Sequence, residues 1–290
     1  MQDLIVPKVT IIIPAYNEAE VIGSVVESIL AVTGADDWEI LVVDDGSSDE
    51  TSERAARSGV RVVKHPYNKG NGAAVKTGLR EASGEAVCLM DADGQHDPQE
   101  ITKLLAGLQT YDLVIGTRTG HQSGGLLRWF GNFFYNRLAS YLTNHQIFDL
   151  TSGFRAARRD KMLEFLPLFP NGFSYPVTST MAFIKAGYNV GFIPITVSKR
   201  VGQSKIRVLR DGAKFVLIAM RIIMLFSPMR IFLPISALLF AVGAGYGVYT
   251  IITEVHITNT TVLMCTMSVV TFLIGLVSEQ IALMRFERQQ

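Results

Sequence analysis

The 290-residue chain has two cysteines, Cys88 and Cys265, both in apolar surroundings. Two thiols so far apart make neither a zinc-type spacing nor a disulfide framework. The chain also has almost no net charge, +1 at pH 7. That excludes the broad basic footprint of a general nucleic-acid binder. Met1 to Pro14 lacks the pattern of a cleaved leader: Asp3 and Lys8 interrupt its apolar residues, and it ends in Pro14 rather than a small-residue cleavage site. Charge is missing altogether from residues 231–253 and again from 257–278. Each run is long enough to cross a hydrocarbon layer of about 30 Å. A soluble core rarely needs two such runs side by side.

These absences divide the chain. Up to about Ser198 it alternates like a soluble α/β protein; beyond Ile231 it is lipid-like. Glu254 and His256 mark a short turn between the two apolar runs, Arg221 and Arg230 precede the first, and Arg285 and Arg288 follow the second. By the positive-inside rule both ends of such a hairpin face the cytoplasm, and so does the attached domain. In the stretch 206–228, Arg207, Arg210, Asp211, Lys214 and Arg221 fall in one sector at about 100° per residue. A helix with such a basic stripe, placed just before spanning segments, suits the membrane interface. The expected organisation is therefore a cytoplasmic domain over 1–205, an interface helix over 206–228 and a transmembrane hairpin over 229–290.

Within the first part, apolar runs alternate with helical spacing. Val9 to Ile13, Trp38 to Val43, Val60 to Lys64, Glu85 to Met90 and Leu113 to Gly116 read as strands. Val190 to Val197 is another, and Pro194 puts it near a sheet edge. Helices are expected over 19–30, 73–82, 99–109 and 175–186, with a helix through Arg57 after the acidic turn. The class is α/β, with a mostly parallel sheet flanked by helices. An aromatic-rich segment, Gly124 to Thr143, reads either as a helix packed on the sheet or as one at a membrane surface. The glycine-rich Asn68 to Gly72 is not a phosphate loop, because Val75 stands where G-x-x-x-x-G-K-[ST] needs glycine. Its glycines suit a close backbone approach, with phosphate contact by Lys69 left open.

One stretch organises the domain: Val87 to Met90, a buried strand, runs into Asp91-Ala92-Asp93-Gly94-Gln95-His96-Asp97-Pro98. Ligands of open α/β sheets sit at the carboxyl ends of strands. Residues two apart on an extended segment point the same way, so Asp91 and Asp93 can converge. Hard oxygen donors of this kind suit Mg²⁺ or Mn²⁺ shared with substrate phosphates. The plainer reading is a turn in which Asp97 caps a helix with Pro98 at its first position.

Pro14-Ala15-Tyr16-Asn17-Glu18, Asp44-Asp45-Gly46-Ser47, Asn68-Lys69-Gly70, the Asp91–Pro98 turn and Ser152-Gly153-Phe154-Arg155 follow one another in that order. In this the chain resembles the inverting family-two glycosyltransferases of GT-A fold. Within them it is similar to the polyprenyl-phosphate glycosyltransferases that carry a membrane hairpin. The resemblance implies transfer of a hexose from a nucleotide-sugar, of GDP-mannose or UDP-glucose type, to a dolichyl or undecaprenyl phosphate. It implies donor contacts from Pro14, Tyr16, Glu18, Asp44, Asp91, Ala92, Asp93 and Gln95, and a divalent metal at Asp91, Asp93 and Gln95. It also implies phosphate contacts from Arg118, Arg155, Arg200, Ser204 and Lys205, with all of these but Arg155 on the acceptor side. Asp93, Arg118 and Arg200 are the expected catalytic residues, Asp149 a reserve base and His96 a positioning group.

Two other readings compete. A processive polysaccharide synthase would carry Q-x-x-R-W, but Gly125 occupies the glutamine position before Arg128-Trp129, and two spans are few for a channel. A non-catalytic membrane adaptor on the same fold would be expected to lose its carboxylates, yet Asp44, Asp91 and Asp93 are present. Homo-oligomer formation is left open.

Overall fold

The structure is a computed structural model that describes residues 9–32, 38–118, 125–172, 174–197, 220 and 223–287. The chain divides into two compact units, 1–206 and 207–290.

The first unit is a seven-stranded sheet. Its strands are β1 (Val9–Ala15), β2 (Trp38–Asp44), β3 (Arg61–Lys64), β4 (Ala86–Leu89), β5 (Leu113–Arg118), β6 (Arg155–Arg158) and β7 (Val190–Ile195). Their order is β3-β2-β1-β4-β6-β5-β7. Only β6 runs antiparallel, pairing with β4 and β5; the remaining pairs are parallel. The helices are α1 (Ile22–Val32), α2 (Thr51–Arg57), α3 (Asn71–Glu81), α4 (Glu100–Gly107), α5 (Gly125–Thr143), α6 (Arg159–Glu164) and α7 (Tyr175–Lys185).

The β-branched run of β1 explains the layering. Ile11, Ile12 and Ile13 are all fully buried, each worth about 1.5–3 kcal/mol of apolar burial. Alternate side chains take opposite faces. Ile11 and Ile13 join the core with Ile22, Val26 and Ile29 of α1. Ile12 faces α3, so closely that a Cβ at Gly78 would lie 2.3 Å from its Cγ2. Pro14 does not end β1 as its chemistry suggests; the strand continues to Ala15. The β4 ladder stops at Ile12, so there is no strand on that side to miss the absent N–H.

β7, the Pro194 strand, lies at the sheet edge. β6 is the strand the sequence hid. Arg-Ala-Ala-Arg has no β-propensity, but its position in mid-sheet favours small side chains, and Ala156 and Ala157 are buried there.

The second unit contains α8 (Met229–Glu254) and α9 (Asn259–Glu287), 26 and 29 residues long. Ser236, Gly243, Gly247 and Thr250 form the buried seam of α8. Gly243 and Gly247 let α9 approach: a Cβ there would lie 2.8 Å from Met264 Cβ and 2.6 Å from Thr261 Cγ2, respectively. Small residues serve this purpose between membrane helices. Glu279 accepts the Met229 N–H at 3.0 Å, and Ser268 Oγ donates to the Ser236 carbonyl at 2.8 Å. Leu238, Phe240, Val248 and Ile252 point outward. Of the expected interface helix over 206–228, residues 206–219, 221 and 222 lie outside the described residues.

Candidate active site

The carboxyl ends of β1, β2, β4 and β5 share one edge of the sheet, and the antiparallel β6 begins there, with Arg155 opposite Leu89. The candidate residues that the structure describes collect along this edge.

At the β1–β2 end, two loops are knitted together. The Asp45 N–H donates to the Ala15 carbonyl, the Asn17 N–H to Ser47 Oγ, the Glu18 N–H to Thr51 Oγ1, and the Ser48 N–H to Asn17 Oδ1. Asn17 takes a positive φ of 53°, which asparagine tolerates. These bonds hold Tyr16, 40% exposed, and half-buried Glu18 beside the Asp44–Ser47 turn. Pro14 and Ala92 are buried. Asp44 is fully buried. Its carboxylate accepts the Ser47 N–H at 2.8 Å and the Ser52 hydroxyl, with Lys64 Nζ at 3.8 Å. It shapes the turn from within.

Asp45, assigned no role in the sequence reading, ties this turn to the glycine-rich loop. Its oxygens accept the Lys69 and Gly70 N–H groups at 2.9 and 2.7 Å, and His65 Nδ1 lies 2.7 Å away. His65 Nε2 meets Thr77 Oγ1 at 2.9 Å, so this histidine is structural. The start of α3 is closed to anions. Its Gly72 and Ala73 N–H groups donate to the carbonyls of Gly172 and Asn171. A Cβ at Gly72 would lie 2.0 Å from the Pro170 carbonyl oxygen. The glycines thus serve a close backbone approach.

At the end of β4, Asp91 is 37% exposed at its side chain, with His96 Nε2 3.8 Å from Oδ2. Gly153 backs it so closely that a Cβ there would lie 2.7 Å from Oδ2. Burial pushes the Asp91 carboxyl up, but His96 and the charges of Arg118 and Arg155 hold it below its ordinary value. Asp93 Oδ1 accepts the Gln95 N–H at 3.2 Å, across Gly94 at φ 69°. Asp97 Oδ1 takes the Gln99 N–H at 2.9 Å, a turn that leads into α4. His96 stacks on Phe154 with centroids 4.7 Å apart. Among the described residues, His96 Nδ1 and Ser152 Oγ are buried without a hydrogen-bond partner. Such orphaned polar atoms beside Asp91 fit an edge that receives a polar ligand.

At the end of β5, Arg118 is clasped by Asp149. Nε to Oδ2 is 2.8 Å and Nη2 to Oδ1 is 3.0 Å, with Nη2 to Thr151 Oγ1 at 2.8 Å. Burial pulls the Arg118 guanidinium down, but Asp149 and Asp91 together raise it.

Arg155 requires a correction. It is fully buried and cannot hold a substrate phosphate. Nε and Nη2 donate to the Ser152 carbonyl; Nη1 reaches the Pro176 carbonyl, Ser179 Oγ and Thr180 Oγ1 at 2.8, 2.6 and 3.1 Å. Burial pulls its guanidinium down to about 10. It anchors α7 to β6 and fixes the Ser152–Gly153 backbone behind Asp91. Arg200, Ser204 and Lys205 lie outside the described residues.

No group of three His, Cys, Asp or Glu side chains that could hold a metal occurs among the described residues. A divalent ion here would take hard oxygens from the Asp91–Gln95 turn and complete its shell with phosphate and water, the usual habit of Mg²⁺.

Residues 10–165 match Glycosyl transferase family 2, and residues 227–284 match the GtrB C-terminal hairpin. The chain is 34% identical over 217 residues to the dolichol-phosphate mannosyltransferase of Pyrococcus furiosus, covering 69% of this chain and 59% of that protein, less than two thirds of its length. It is 31% identical over 217 residues to the undecaprenyl-phosphate mannosyltransferase of Micrococcus luteus, covering 68% of this chain and 87% of that one. Among solved structures, glucosyl-3-phosphoglycerate synthase from Mycobacterium tuberculosis, in complex with Mn²⁺ and UDP-glucose, aligns with a TM-score of 0.60 at 25% identity over 73% of this chain and 79% of its own.

Proposed function

The chain belongs to glycosyl transferase family 2, and from that premise we propose that it transfers a hexose from a nucleotide-sugar to a polyprenyl phosphate at the cytoplasmic face of a membrane. One observation carries the choice of acceptor. The sugar-transferase unit is followed in the same chain by two apolar helices, Met229–Glu254 and Asn259–Met284, each long enough to span a bilayer. A water-soluble acceptor would not require them. The relatives named for dolichol-phosphate and undecaprenyl-phosphate transfer support the same acceptor class. The flanking arginines support the cytoplasmic side. The aromatic α5, with Phe133, Phe134 and Tyr141 exposed, suits contact with lipid headgroups.

In this reading Tyr16 and Glu18 receive the nucleoside, over the turn held by Asp44, with Pro14 and Ala92 as the floor. Asp91, Asp93 and Gln95 would hold Mg²⁺ or Mn²⁺ for the diphosphate. When bound, such an ion neutralises charge developing on the leaving group. Arg118 and Arg200, with Ser204 and Lys205, receive the acceptor phosphate. That phosphate is largely dianionic near neutral pH, since its second pKa is about 6. It needs positioning more than deprotonation. In-line attack on the sugar carbon then inverts the anomeric centre.

The test is a panel of radiolabelled nucleotide-sugars offered with polyprenyl phosphate to the detergent-solubilised chain, with and without chelator. One donor is expected to yield a lipid-linked sugar only when divalent metal is present, and Asp93→Ala is expected to abolish it. No lipid product from any donor would defeat the proposal.

A further inference from the structure

Arg118 has five N–H donors, and three are engaged inside the protein. Nε and one hydrogen of Nη2 meet the two oxygens of Asp149 at 2.8 and 3.0 Å; the other hydrogen of Nη2 meets Thr151 Oγ1 at 2.8 Å. Among the described residues, the two hydrogens of Nη1 have no partner. The clasp is itself braced, because Asp149 Oδ1 also receives the Thr151 N–H at 3.2 Å. The Asp149 side chain is 9% exposed and that of Arg118 is 22% exposed. An arginine on a mobile stem could offer a two-pronged edge to phosphate; this one has its side edge already filled.

We propose that Asp149, with Thr151, is a positioning residue that locks Arg118 so that its Nη1 edge alone faces the acceptor phosphate, and that Asp149 is not the base of the reaction. The inference rests on the transfer reaction proposed above. A carboxylate gripped on both oxygens by a guanidinium has little room to take a proton from a substrate. Burial pushes the Asp149 carboxyl up, but the Arg118 contact more than reverses this and leaves it below its ordinary value, hence a weak base at neutral pH. The acceptor nucleophile, already ionised, has little proton to give.

The experiment uses the full chain in detergent, with saturating nucleotide-sugar and varied polyprenyl phosphate, across pH. Asp149→Asn is expected to raise the acceptor KM about ten- to hundredfold, the size of a lost charge-assisted hydrogen bond. The shape of the kcat–pH profile should be kept. Thr151→Val should move the acceptor KM in the same direction, by less, and it decides the matter if Asp149→Asn does not fold. Arg118→Lys combined with Asp149→Asn should be no worse than Arg118→Lys alone, because the clasp has then lost its client. A kcat collapse of about a thousandfold with a lost acidic limb, and an unchanged acceptor KM, would make Asp149 a base. Multiplying losses in the double variant, or an acceptor KM unmoved by Thr151→Val, would likewise overturn the assignment. A wild-type chain that transfers no sugar would overturn the transfer reading itself, and this inference with it; an active wild type isolates the inference.

Discussion

At the scale of single residues, the edge of the sheet is set by what backs each functional group. Asp91 has its carboxylate against a residue without a side chain. A methyl group at position 153 would stand 2.7 Å from Oδ2 and 3.0 Å from Oδ1, closer than real carbon atoms come. Gly153→Ala must therefore push the Asp91 carboxylate, because Arg155 holds the neighbouring Ser152 carbonyl and stops the backbone from yielding. The expected result is a nucleoside diphosphate–Mn²⁺ affinity lowered about tenfold or more, measured by titration calorimetry, with little change in melting temperature. An unchanged affinity would separate Asp91 from the diphosphate site.

At the scale of elements, glycine decides where backbones meet. In α3, Gly72 admits the carbonyls of residues 170–172. In the apolar hairpin, Gly243 and Gly247 admit α9, whereas Gly245 has nothing within 4 Å of its would-be Cβ. The three residues are close in sequence and chemically identical, so they make a controlled comparison. Gly247→Leu is expected to cost about 1–3 kcal/mol by overpacking and to lower the melting temperature of the solubilised chain. Gly245→Leu should be near neutral or slightly stabilising, since leucine favours helix over glycine. Equal effects at both positions would argue against this seam. The carboxylate of Glu279 on the Met229 N–H works at the same scale, one helix supplying the N-terminal cap of the other.

At the scale of the whole molecule, pH stability depends on carboxylates tied between elements. Glu39 on β2 accepts hydrogen bonds from Thr10 of β1 at 2.6 Å, from the Ser83 N–H and hydroxyl at 2.8 and 2.7 Å, and from Arg61 of β3 at 3.1 Å. Burial alone would push its carboxyl up; these donors outweigh it and bring it down from 4.5 to about 2. A depressed folded-state value means stability that is present above pH 4.5 and lost as pH falls through about 2. The contribution is on the order of 2–3 kcal/mol. Glu39→Gln should accordingly be less stable than the parent at pH 7, and the difference should shrink toward pH 2 in melts followed by circular dichroism. Parallel curves across that range would refute the linkage.

The sequence by itself determined the alternation of strands and helices, the edge placement of the Pro194 strand, the acidic turn after β4 and the two apolar helices. Each of these depends on a local property: the period of apolar residues, a missing N–H, or a long absence of charge. Tertiary structure alone decided that Arg-Ala-Ala-Arg becomes a central strand, that Arg155 is buried on backbone carbonyls and the Ser179 and Thr180 hydroxyls, and that Asp149 clasps Arg118 across 31 positions of chain. Their physical cause is long-range: a mid-sheet position where two small side chains are buried, and donors and acceptors that meet only because β6 lies between β4 and β5. No spacing in the linear chain encodes that insertion.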